Sequence, residues 1–132
     1  MAAAVRVLLI DDEPDFLETL AYWLRRKGHA VEHATGGAAG LELLARGPAP
    51  DVVFLDIVMP QVDGLETLRR LRQSCAELPV ILLSTSDQDP AALGRFRQLG
   101  IIDVFSKEQD LERLAAILDR ALAGRRPRPD AD

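Results

Sequence analysis

Residues 51–64 read Asp51-Val52-Val53-Phe54-Leu55-Asp56-Ile57-Val58-Met59-Pro60-Gln61-Val62-Asp63-Gly64. Val52 to Leu55 form an apolar run with no polar alternation. Such a run predicts a strand over Asp51–Leu55 that is covered on both faces, as in a parallel sheet. Asp56 closes it with a carboxylate. Pro60 and Asp63-Gly64 then mark a turn, and a helix is expected over Gly64–Cys75. Asp63 stands at its N-cap position, with Glu66 as the reciprocal partner three residues on.

Outward from this stretch the same unit recurs. Val5 to Ile10 is a second apolar run, and it ends in Asp11-Asp12. Pro14 suits a first helical turn, and Phe16, Leu17, Leu20, Trp23 and Leu24 follow at helical spacing. Arg25, Arg26 and Lys27 complement the C-terminus of that helix, and Gly28 can end it in a left-handed conformation. A short strand is expected over His29–His33 and a helix over Gly37–Arg46, stopped by Gly47-Pro48. On the other side come a strand over Val80–Leu83, a helix over Pro90–Leu99 and a strand over Ile101–Phe105. Asp110 can cap a last helix striped by Leu111, Leu114, Leu118 and Leu122. Five alternations of strand and helix with short loops define an α/β domain, a parallel sheet with helices on both faces. Right-handed crossovers leave few strand orders, of which 2-1-3-4-5 is a common one.

The chain has 132 residues, 48% of them hydrophobic, and a formal net charge of −5. That length suits one domain, and the acidic balance argues against a nucleic-acid-binding surface. The single cysteine, Cys75, excludes an intramolecular disulfide and reads as a small apolar helix residue. Met1-Ala2-Ala3-Ala4 lacks the basic region of a secretory signal, and no apolar run approaches the ~20 residues that cross a bilayer. A cytoplasmic protein without a membrane partner is the expectation. His29 and His33 flank the second strand and read as surface or rim residues. Residues 124–132, with Arg125, Arg126 and Arg128, read as a flexible tail or truncated linker after a domain spanning 1–123.

In the 2-1-3 order, the strand ends carrying Asp11, Asp12 and Asp56 are neighbours. Carboxylates so close raise one another's pKa or demand a cation, and oxygen-only ligands suit Mg²⁺. Ser84, at the end of the fourth strand, can donate a hydrogen bond to a phosphoryl oxygen. Lys107, after the fifth, carries a mobile positive charge. A carboxylate nucleophile, a metal, a hydroxyl and an ammonium make a phosphoryl-transfer site.

At these residues the sequence resembles the receiver domains of two-component response regulators, those of chemotaxis among them. The matching segments are Leu8-Leu9-Ile10-Asp11-Asp12-Glu13-Pro14, the stretch from Asp51 to Gly64, Pro79 to Ser84, and Lys107 after Gly100 to Ser106. The resemblance covers the chain from about Val5 to Ala123 in the order and spacing of the fold. It implies a single flavodoxin-like (βα)5 domain with Asp56 as the phosphorylation site, its donor a phosphohistidine on a sensor histidine kinase or histidine phosphotransfer protein. It places Mg²⁺ (or Mn²⁺) on Asp11, Asp12, Asp56 and the backbone carbonyl of Val58, with Ser84 and Lys107 stabilising the phosphoryl group. It further implies a surface switch on the fourth helix, fifth strand and fifth helix. That face offers Arg95, Arg97 and Asp103 to a homodimer.

Two positions depart from the family pattern. The switch aromatic, three residues before the lysine, is Val104, and strand alternation points Phe105 to the opposite face. Lys107 is followed by Glu108 where the family commonly has a cis proline, so a trans bond or a remodelled loop is expected. Val104 and Glu108 motivate a second reading, a receiver-like interaction module that works without phosphorylation. An aspartyl phosphatase, the enzyme reading, needs an acid two residues after the nucleophile, and Val58 cannot serve. The domain is therefore expected to be no turnover enzyme, and its self-dephosphorylation slow to moderate.

Overall fold

The structure is a computed structural model, and it describes residues 5–57, 63–84 and 90–123. The apolar runs become five strands: β1 (Arg6–Ile10), β2 (Ala30–Ala34), β3 (Val52–Asp56), β4 (Val80–Ser84) and β5 (Asp103–Ser106). Between and after them lie α1 (Pro14–Arg26), α2 (Gly37–Arg46), α3 (Gly64–Ser74), α4 (Pro90–Leu99) and α5 (Leu111–Ala123). All strand pairs are parallel, and the order is β2-β1-β3-β4-β5. The expected topology is the observed one. No helix among the described residues is long and apolar enough to cross a membrane.

Strand alternation explains why the runs are apolar throughout. Val7, Leu9, Val52, Phe54, Ile81, Leu83 and Phe105 face one layer, where they meet Leu17, Leu20 and Leu24 of α1 and Leu114, Ile117 and Leu118 of α5. Leu8, Ile10, Val53, Leu55, Val80 and Leu82 face the other, against Leu68 and Leu71 of α3 and Phe96 of α4. Each central strand is thus covered twice, and burying one such large side chain stabilises the fold by roughly 1.5–3 kcal/mol. Gly28 ends α1 with φ 95°, and Gly100 turns the chain after α4 with φ 92°.

Several expected boundaries move. β3 begins at Val52, the first of its residues in register with β1, and Asp51 just before it is tied to β1 by its carboxylate, which accepts from Arg6 N at 2.8 Å. β3 and β4 each run one residue further than expected, so Asp56 and Ser84 belong to the ladder. β5 starts at Asp103 and not Ile101, because it is Asp103 that lies in register with Ile81. Ile101 and Ile102 lead in, with Ile102 N bonded to Val80 O. The reciprocal cap of α3 is only half made. Asp63 Oδ1 accepts from Glu66 N at 2.9 Å, but the Glu66 carboxylate turns to Arg69 and Arg70.

Arg72 closes the opposite end of the fold. Its guanidinium donates to the carbonyls of Cys75, Leu78, Leu99 and Gly100 at 2.7–2.9 Å. One side chain thereby ties the end of α3 to the end of α4. His29, expected at the rim, is half-buried there, and its Nδ1 accepts from Val5 N at 3.3 Å.

Candidate functional site

β1 and β3 are neighbours whose connections leave toward opposite edges of the sheet, and a crevice opens at their C-terminal ends. Asp11 follows β1 directly and keeps its register, Asp11 N bonding to Ala34 O at 3.2 Å. Asp12 is the next residue, and Asp56 is the last of β3. Carboxylate oxygens of Asp11, Asp12 and Asp56 all lie within 4.8 Å of one another. Asp11 is fully buried, Asp56 is 5% exposed and Asp12 is half-buried. Gly64 lets the start of α3 close onto the end of β3, since a Cβ there would lie 2.4 Å from the Asp56 carbonyl oxygen.

Lys107 enters from β5. Its backbone N–H donates to Ser84 O at 2.8 Å, which anchors the loop to the end of β4. Its Nζ lies 2.8 Å from Asp11 Oδ2 and 3.4 Å from Asp56 Oδ2, and it also pairs with Glu13 Oε1. Among the described residues no peptide bond is cis, and Lys107 reaches the crevice without one. Burial alone would lower the pKa of this ammonium. The carboxylates of Asp11, Glu13 and Asp56 outweigh burial and hold it above the ordinary lysine value.

One lysine faces the three clustered carboxylates and Glu13, so the crevice keeps an excess of negative charge. Asp11 Oδ1 accepts from Glu13 N at 2.9 Å. Among the described residues Asp11 Oδ2 has no hydrogen-bond donor, and its contact with Lys107 is a charge pair. A buried carboxylate oxygen left without a hydrogen bond, beside two more carboxylates, fits a hard divalent cation bound by a few oxygens.

Ser84 is 5% exposed at the same sheet edge, one residue beyond the Asp56–Leu83 pair. Val104 is half-buried and packs on the α3–α4 layer, whereas Phe105 is fully buried in the α1–α5 layer. The alternation expected for this pair is the one observed. Val58, whose carbonyl is an expected metal ligand, lies outside the described residues, as do Met59, Pro60 and the tail from Gly124. Glu13 is the site residue that sequence reasoning missed. Its place beside Asp11-Asp12 puts it at the crevice edge, but nothing local in the sequence points to its pairing with Lys107. At that position the Glu13 side chain makes no capping bond.

An α/β sheet of this order, with carboxylates at the β1–β3 crevice and a lysine from β5, defines a receiver-type signalling fold. The sequence pattern of the "Response regulator receiver domain" matches residues 7–119, and the chain belongs to that family, the phospho-acceptor domains of two-component systems. Over 121 residues it is 37% identical to "Protein PilH" of Pseudomonas aeruginosa, covering 90% of this chain and 98% of that protein. Over 126 residues it is 37% identical to "Response regulator MprA" of Mycobacterium leprae, covering 96% of this chain and 54% of that protein. The chain thus spans nearly all of one curated relative and about half of the other. A response regulator receiver protein from Pseudomonas putida superposes with TM-score 0.83 at 27% identity, over 91% of this chain and 99% of that one. Receiver domains generally bind Mg²⁺ at an acidic pocket and act with a histidine kinase or phosphotransfer partner.

Proposed function

We propose that Asp56 takes a phosphoryl group from a phosphohistidine of a partner kinase or phosphotransfer protein, with Mg²⁺ or Mn²⁺ held by Asp11, Asp12, Asp56 and the carbonyl of Val58. The observation that carries this reading is the shared crevice, with three carboxylates within 4.8 Å and Lys107 Nζ 3.4 Å from Asp56 Oδ2. A carboxylate oxygen of Asp56 attacks phosphorus, the P–N bond breaks, and its electron pair returns to the histidine ring. Lys107 neutralises charge on the transferred group, and Ser84 donates a hydrogen bond to one of its oxygens. The cation, when bound, shields the carboxylates from the incoming phosphoryl oxygens. Residues 1–123 act as the receiver unit in a cytoplasmic protein, and residues 124–132 are a tail or linker.

The surface consequence runs through α4, β5 and α5, where a homodimer could form. There Arg95 and Arg97 are exposed, and Asp103 is engaged by Arg120 within the chain. A specific observation favours a second reading, docking that ignores phosphorylation. Val104 offers no ring to swing, and Phe105 is locked in the other layer. Acetyl phosphate with Mg²⁺ tests the first reading. The native protein should gain one phosphoryl group by mass spectrometry, mapped to Asp56, and Asp56→Asn should gain none. Uptake by that variant would overturn the assignment. Partner affinity or dimerisation unchanged by phosphorylation would favour the second reading.

A further inference from the structure

The first turn of α1 reaches into the site in a way that the phosphoryl-transfer reading does not use. Glu13 occupies the N-cap position of α1 and makes no capping bond. Its carboxylate, 59% exposed, pairs instead with Lys107 Nζ, across 94 residues of sequence. Three residues on, the Phe16 ring lies under the same ammonium, 4.9 Å from its centroid, within cation–π range. Phe16 itself is braced against the α1–α5 layer. Lys107 is therefore gripped from the α1 side, and its contact with Asp56 is the longest of its three carboxylate contacts.

We propose that Glu13, with Phe16 behind it, is a resting-state holder for Lys107 that competes with the phosphoryl group for its ammonium. A cation bound by Asp11, Asp12 and Asp56 draws on those carboxylates and leaves Glu13 as the carboxylate that still holds Lys107. A phosphoryl group on Asp56 presents doubly charged oxygen density close to Nζ, and it captures the lysine only by displacing Glu13. Glu13 is a positioning residue on this account, and it sets the threshold for switching. The inference rests on the assignment of Asp56 as phosphoryl acceptor.

The test uses beryllofluoride, a phosphoryl analogue that binds carboxylates, together with NMR of the lysine ammonium groups. Glu13→Gln should shift or broaden the Lys107 ¹⁵Nζ resonance in the Mg²⁺-bound protein, and should tighten beryllofluoride binding by about two- to fivefold, the range for losing a largely exposed ion pair. In a Lys107→Met background the same Glu13→Gln change should give no tightening. Mg²⁺ affinity should stay within about twofold, because Glu13 lies outside the carboxylate cluster. An unmoved resonance with unchanged or weaker beryllofluoride binding overturns the proposal. Tightening that persists without Lys107 overturns it too. If the native protein binds no beryllofluoride while the resonance still responds to Glu13→Gln, the acceptor reading fails and takes the competition with it, while the resting pair stands.

Discussion

Replacing Asp12 by asparagine should stabilise the metal-free protein and destabilise it, relative to the native sequence, once Mg²⁺ is present. The carboxylate oxygens of Asp11, Asp12 and Asp56 lie within 4.8 Å of one another. Two unit charges at 4.8 Å repel by about 3.5 kcal/mol at an effective dielectric of ~20 and by about 0.9 kcal/mol at ~80. Asp12 is half-buried, so the smaller figure weighs more, and Lys107 already offsets part of the charge on Asp11 and Asp56. The expected gain on neutralising Asp12 is about 1–2 kcal/mol in EDTA. A ligand at ~100 times its dissociation constant adds about 2.7 kcal/mol to the native protein, and the variant forfeits most of that. Urea titrations of both proteins, in EDTA and in saturating Mg²⁺, should therefore rank them in opposite orders. A variant less stable than the native protein in EDTA would refute the repulsion. Equal stabilisation of both by Mg²⁺ would refute the placement of the cation.

Three further outcomes follow from the packing. Gly64→Ala sets a Cβ 2.4 Å from the Asp56 carbonyl oxygen, and pushing α3 away should cost about 1–3 kcal/mol in urea unfolding, with weaker Mg²⁺ binding. Arg72→Met strands four backbone carbonyls at the ends of α3 and α4, so stability should fall by about 2–4 kcal/mol, and amide exchange near Gly100 should speed up. Desolvation holds the pKa of His29 below its ordinary 6.5, against an opposing pull from Asp119. The unfolded chain therefore takes up this proton before the folded one does. The contribution of His29 is intact above pH about 6.5 and is lost as pH falls through that value toward the folded pKa. His29→Gln should flatten the fall in unfolding free energy as pH drops below about 6.5, as read from urea curves.

The fold was legible in the sequence because a parallel strand covered on both faces has to be apolar throughout, as Val52–Leu55 and Val80–Leu83 are. Asp11, Asp12, Asp56 and Lys107 were legible because each falls at the end of such a run, and the strand order then gathers those ends. The strand limits were harder to read, since a ladder continues for as long as the register holds. Asp56 and Ser84 are polar yet remain in it, whereas Ile101 and Ile102 are apolar yet precede it. The half-made cap of α3 escaped for a related reason. Arg69 and Arg70 are local partners for Glu66 as good as the helix end. Glu13 could not be placed from sequence, since its partner lies 94 residues away and only the folded crevice joins them.

The central claim is that Asp56 is the phosphoryl acceptor and that a divalent cation enables it. The most direct measurement is the mass of the native protein after acetyl phosphate treatment, with Mg²⁺ and with EDTA, followed by reduction of any acyl phosphate with borohydride and peptide mapping. A single modification at Asp56, present with Mg²⁺ and lost with EDTA or in Asp56→Asn, is the expected result. Modification elsewhere, or equal uptake in EDTA, would contradict it.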